Sequence, residues 1–155
     1  MSTSGPSGGW TVVEITTEQT HAVRRAVLRQ GTPTDDPRFD EDDWPGVVHL
    51  GAFEAGVLVG TSTWVPRSPA DRPSVPAVQL RGMASLRSHQ GRGVGGALLV
   101  EGCRRAVERG AELVWANARD TALGFYRSHG FAVVGDGFVD PTTQLPHHVV
   151  ERRLT

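Results

Sequence analysis

The segment Gln90-Gly91-Arg92-Gly93-Val94-Gly95-Gly96 lies between a run with strand character and a run with helical spacing. Glycines there let the backbone approach a ligand closely and let successive N–H groups converge. A helix start adds unpaired N–H groups and the positive end of its dipole, so a phosphate or pyrophosphate is the natural guest. Arg87, His89 and Arg92 place further positive charge nearby. A triphosphate P-loop is excluded, because all 16 basic residues are arginine and its lysine does not exist. A dinucleotide-binding loop fits poorly: the acid near the required distance, Glu112, precedes its strand rather than ending it. A glycine-rich turn that binds nothing is the remaining alternative.

Other reactive side chains are few. The chain has 1 cysteine, Cys103, so an internal disulfide and a multi-cysteine zinc site are both excluded, and no metal is expected. Cys103 falls inside a helical pattern and reads as packing rather than as an acyl-carrying nucleophile. The one phenol is Tyr126, beside Phe125, which taken alone reads as a core aromatic on a helix. His49, Glu54, His147 and His148 lie on or near strands and are candidates for a general base. None is assigned. The literal G-x-S-x-G at Gly5 to Gly9 lacks the strand-turn-helix that a nucleophile elbow requires.

The elements that must hold these residues follow from periodicity and turn signals. Trp10 to Ile15 reads as a strand, and Thr16-x-x-Gln19 as a capping box opening a helix from about Thr17 to Gln30. Residues 32–46 carry six acids (Asp35, Asp36, Asp40, Glu41, Asp42, Asp43) and read as loop or short helix. Val47–Phe53 and Val57–Val65 form a hairpin, residues 66–76 a proline-rich loop, and Ala77–Ala84 a strand with a candidate bulge at Gly82. A helix follows the glycine loop and stops at Gly110. Leu113–Asn117 is a strand, Thr121–His129 a helix, and a strand pair from Phe131 ends near Leu154. The order β-α-β-β-β-α-β-α-β-β describes an α/β domain with a mixed sheet. Residues 10–155 read as a single domain behind a flexible Ser/Gly-rich lead-in, 1–9.

Sixteen basic residues against seventeen acids leave a net charge of -1, with no overall electrostatic case for nucleic acid. No apolar run approaches the ~20 residues of a membrane span. Without a signal peptide, the cytoplasm is the expected compartment.

In spacing and order, four segments resemble the GCN5-related N-acetyltransferase (GNAT) superfamily. They are Leu80-Arg81-Gly82-Met83-Ala84, Gln90-x-x-Gly93-x-Gly95, Trp115-Ala116-Asn117-Ala118-Arg119, and Ala122-x-x-Phe125-Tyr126-x-x-x-Gly130-Phe131. The resemblance implies a mixed sheet whose central parallel strands, Ala77–Ala84 and Leu113–Asn117, splay apart to admit acetyl-CoA as acyl donor. The backbone of Met83, Ala84 and Ser85 would pair with the pantetheine arm, and an N–H near Met83 or Ala84 would bind the thioester oxygen. Gln90, Gly91, Arg92, Gly93, Val94, Gly95 and Gly96 would hold the pyrophosphate. Tyr126 would protonate the departing thiolate, which suits a phenol with a pKa of about 10. Arg119 occupies the slot where such proteins often carry asparagine. Asn117, two residues earlier, is the nearest asparagine, and its plain alternative is to cap the following turn.

The implied reaction is direct attack by an amine of a small molecule, protein or peptide, within a ternary complex. A non-catalytic acyl-CoA sensor on the same fold is the alternative, and a homodimer is expected from the resemblance alone. The acidic stretch Asp35–Asp43 could draw a cationic amine, although a solvated loop is the plainer reading. Trp44 and Trp64 are candidates to line the acceptor cavity, with a core role for Trp64 in its strand equally open.

Overall fold

A computed structural model describes residues 9–154, in which seven strands form one sheet ordered β1-β2-β3-β4-β5-β7-β6. The lead-in and its G-x-S-x-G lie outside the described residues, Gly9 excepted. β1 (Thr11–Ile15) passes into α1 (Thr17–Val23) through the expected capping box. Gln19 N–H donates to Thr16 Oγ1 at 3.2 Å, and Thr16 N–H donates to Gln19 Oε1 at 2.8 Å. Beyond Val23 the helix departs from expectation. It widens into a π-helical turn, Arg24–Leu28, a form frequent at functional sites. Arg24 is fully buried there and holds Asp42 through two 2.8 Å bonds, a tertiary demand that apolar periodicity does not register.

The hairpin forms as expected from β2 (Val48–Glu54) and β3 (Val57–Pro66), and β4 (Ala77–Ser85) adds antiparallel to β3. Gly82 is a bulge. Pairing steps from Thr63↔Arg81 to Thr61↔Ala84, so Gly82 and Met83 together face Ser62. Gly82 has φ 61°, and a Cβ there would stand 2.8 Å from the Phe39 ring. Both conditions select glycine.

α2 (Val94–Glu108) buries Val94, Ala97, Leu98, Leu99, Cys103 and Ala106 against the sheet. Trp64 lies so close to this helix that a Cβ on Gly102 would come within 1.8 Å of its ring. Trp64 is therefore a core residue, which decides between its two expected roles and removes it from the expected cavity lining. β5 (Leu113–Arg119) runs two residues beyond expectation. A short 3₁₀ turn, Asp120–Ala122, then leads into α3 (Leu123–Ser128). β6 (Ala132–Val139) and β7 (Pro146–Arg153) complete the sheet.

The two helices α2 and α3 share one face, over Val78, Leu80, Val114, Ala116 and Ala118. α1 and the loop after it cover the other, where Thr63, Gln79, Arg81 and Arg119 find their partners. β4 and β5 pair over only Ala77↔Leu113, Val78↔Val114 and Gln79↔Trp115. Past that point β4 stays with β3, while β5 stays with β7 as far as Arg119↔His147. The sheet opens as a wedge between them.

Candidate active site

The wedge holds a cavity of about 280 Å³. Its walls come from β4 (Gln79 to Met83), β5 (Asn117 to Arg119), Leu28 and Arg29, the loop at Arg38–Asp40, and the β6–β7 connection at Asp140, Thr142 and Thr143. Tyr126 and Ala122 reach it from the α3 side, and His147 from β7. It thus brings together Met83, Asn117 and Tyr126 from the sequence-derived set.

Tyr126 is 5% exposed and packed edge-on against Phe125 and Phe131. Burial raises its pKa well above that of a free phenol, so it is a proton donor at any physiological pH. Its hydroxyl makes no hydrogen bond among the described residues, which leaves the proton free for a ligand. Asn117 likewise makes no side-chain hydrogen bond there and does not cap the following turn.

The glycine loop lies further along, beyond the end of β4. Gln90 Nε2 donates to the Ser85 carbonyl at 3.1 Å, folding the loop back on that strand. Gly93 opens α2 from the left-handed region, φ 93°, with no side chain capping the helix. The N–H groups of Gly91, Gly93, Val94, Gly95 and Gly96 find no protein acceptor among the described residues. Gly95 and Gly96 abut Phe125 and His129, so a Cβ at either would sit 3.1 or 3.0 Å from a ring. This open row of donors at a 15-residue helix fits a pyrophosphate. The added positive charge is smaller than the sequence suggests. His89 and Arg92 both bind Glu54, at 2.8 and 3.2 Å, and Arg87 alone of the three stays exposed without an ion pair.

The four base candidates separate cleanly. Glu54 is held by His89 and Arg92, and His148 by Asp120 at 2.7 Å. His49 is buried away from the cavity. One ring nitrogen meets the Asp42 carbonyl at 3.0 Å, so it carries the proton, and the other accepts from Thr63 at 2.8 Å. His147 alone lines the cavity. Its Nδ1 lies 2.9 Å from the Leu145 carbonyl, which fixes the proton on Nδ1 and leaves Nε2 basic.

The acids of residues 35–43 are mostly occupied. Asp36 holds Arg38, Glu41 holds Arg67 and Arg81 at 2.7 and 2.6 Å, and Asp42 holds Arg24. Asp43 accepts from Thr17, and of this group only Asp40 lines the cavity without a partner. Trp44 is 46% exposed under Arg67 and stands outside the cavity, a second correction to the expected lining. Cys103 is buried in the core, where its thiol is pushed up by burial and made inert. Sequence reasoning missed the cavity roles of Arg29, Phe39, Asp140 and His147's tautomer-fixing carbonyl. Arg24 and Arg29, flanking apolar positions near six acids, were the available signal.

The sequence profile of the Acetyltransferase (GNAT) family matches residues 14–131. The uncharacterized N-acetyltransferase YitI of Bacillus subtilis is 30% identical over 139 residues, covering 90% of this chain and 92% of that one. Among solved structures, ElaA of Escherichia coli superposes with a TM-score of 0.73 at 19% identity, covering 92% of this chain and 97% of that one. An aminoglycoside 6'-N-acetyltransferase complexed with coenzyme A gives a TM-score of 0.71 at 13% identity, covering 93% and 97%. The chain belongs to the GNAT acetyltransferase family.

Proposed function

We propose that this chain is an N-acetyltransferase that moves an acetyl group from acetyl-CoA to an amine, with residues 10–155 acting as one domain. The observation that carries the reading is the wedge itself. It places a buried, protonated phenol at one end of an unpaired β4 edge and a row of free amides at the other. Acetyl-CoA supplies an activated acyl thioester and a thiol leaving group.

The chain's own residues then divide the work. The amides of Gly91, Gly93, Val94, Gly95 and Gly96 hold the pyrophosphate. The backbone of Met83, Ala84 and Ser85, freed from β5, offers strand-like pairing to the pantetheine amides. An N–H at Met83 or Ala84 stabilises negative charge on a carbonyl under attack. His147 Nε2 takes the proton of the incoming ammonium, and Tyr126 gives its proton to the thiolate. Asn117 orients the arm from the β5 side of the wedge.

The test is thiol release from acetyl-CoA across a panel of amines, with the acetylated amine identified by mass spectrometry. Amine-dependent release is expected. Acetyl-CoA binding with no release for any amine would favour the non-catalytic sensor instead.

A further inference from the structure

We infer that the acceptor carries a carboxylate, gripped by Arg29 and Arg119, which makes the substrate class small amino carboxylic acids such as α-amino acids. This deepens the transferase reading and rests on it.

Both guanidiniums line the cavity. Arg29 is 9% exposed, and its Nε donates to the Asp36 carbonyl at 2.7 Å; an Arg119 Nη donates to the Leu28 carbonyl. Neither forms an ion pair with a carboxylate among the described residues. The neighbouring arginines do: Arg24 with Asp42, Arg81 with Glu41, Arg38 with Asp36. Burial and then nearby Arg24 and Arg81 weaken the hold of Arg29 on its proton. For Arg119 the causes are burial and then Arg29, and nearby Asp140 offsets part of the effect on both. Two like charges are therefore brought together in a poorly hydrated wall, with most of their donors unused. A guanidinium's planar fork matches a carboxylate in two parallel bonds, and such a ligand relieves the mutual repulsion.

The opposite pole stands alongside. Asp140 lines the same cavity, with Oδ2 accepting from Thr142 N–H, Thr143 N–H and Thr143 Oγ1 at 3.1, 2.9 and 3.1 Å. Its other oxygen has no hydrogen bond among the described residues, and Asp40 and His147 line the same space. A carboxylate grip beside an ammonium-attracting end matches an amino acid. A space of about 280 Å³, shared with the end of the acyl donor, leaves room for one of small size.

The decisive comparison needs no variant. Common α-amino acids and their primary amides are assayed as acceptors at saturating acetyl-CoA. Their N-acetyl derivatives, as acids and as amides, are titrated calorimetrically in the presence of CoA. At least one acid is expected to exceed its amide by about tenfold in kcat/KM and in affinity, the scale of one charge-assisted bidentate contact. Arg119→Gln should shrink that ratio to about twofold or less by raising KM for the acid, with acetyl-CoA affinity reporting that the variant is folded. Amides that match or exceed their acids, or acids that fail to bind at millimolar concentration, would overturn the carboxylate assignment alone. Failure of acetyl-CoA itself to bind would overturn the transferase reading beneath it.

Discussion

In the proposed reaction the chemistry concentrates in two side chains, Tyr126 and His147. Tyr126 holds its proton tightly because it is buried, and the Leu145 carbonyl fixes the His147 proton on Nδ1, leaving Nε2 as an acceptor. Tyr126→Phe removes only a hydroxyl with no protein partner, so the fold should persist with a melting temperature within a few degrees. Turnover should fall about 10²–10⁴-fold, the usual contribution of a positioned acid. Steady-state kinetics on the folded variant checks this. Cys103→Ala, by contrast, should keep transfer, since its thiol sits in the core outside the cavity. Tyr126, Met83 and Asn117 are named through the family resemblance, and the structure brings the three to one cavity. The arginine grip was not legible, because Arg29 and Arg119 lie ninety residues apart in sequence and meet only when β5 extends past Asn117.

Among the elements, the two features that shape the wedge are a bulge and a buried ion pair. Gly82 kinks β4 over Phe39, whose ring also stacks on Arg24 at 3.9 Å and Arg81 at 4.3 Å. Arg24 in turn fastens the loop after α1 through Asp42 and the Pro37 carbonyl. Arg24→Met leaves the Asp42 carboxylate buried and unpaired, which should cost about 3–5 kcal/mol in a denaturant titration. Gly102→Ala should destabilise by about 1–3 kcal/mol or more, because a rigid indole occupies the space of the new methyl. Element order, the capping box, the hairpin and the bulge were readable because each is set by neighbouring residues. The π-helical turn and the fate of the acidic run were not: both are decided by which arginines arrive from elsewhere in the chain.

For the molecule as a whole, the α1 face should respond to acid. Burial lowers the pKa of His49 from its ordinary 6.5. For Glu41 and Asp42, burial alone would raise the carboxyl groups, but their arginine partners hold both below the ordinary 4.5 and 3.8. In each case the unfolded chain binds protons more readily, so stability is present above the ordinary value and is lost as pH falls through the folded one. Melting temperature should therefore be level between about pH 7 and 8, decline gently below that range, and drop steeply below about pH 4. His49→Gln should flatten the first decline and leave the second; an unchanged profile would remove His49 from the account.

The central claim concerns the donor-rich start of α2 and the open edge of β4, and hydrogen exchange with and without acetyl-CoA tests it most directly. Saturating cofactor should slow exchange at Gly91, Gly93, Val94, Gly95 and Gly96 and along Met83 to Ser85, with little change in the β1–β2 region. Unaltered exchange in both segments at millimolar acetyl-CoA would contradict the assignment.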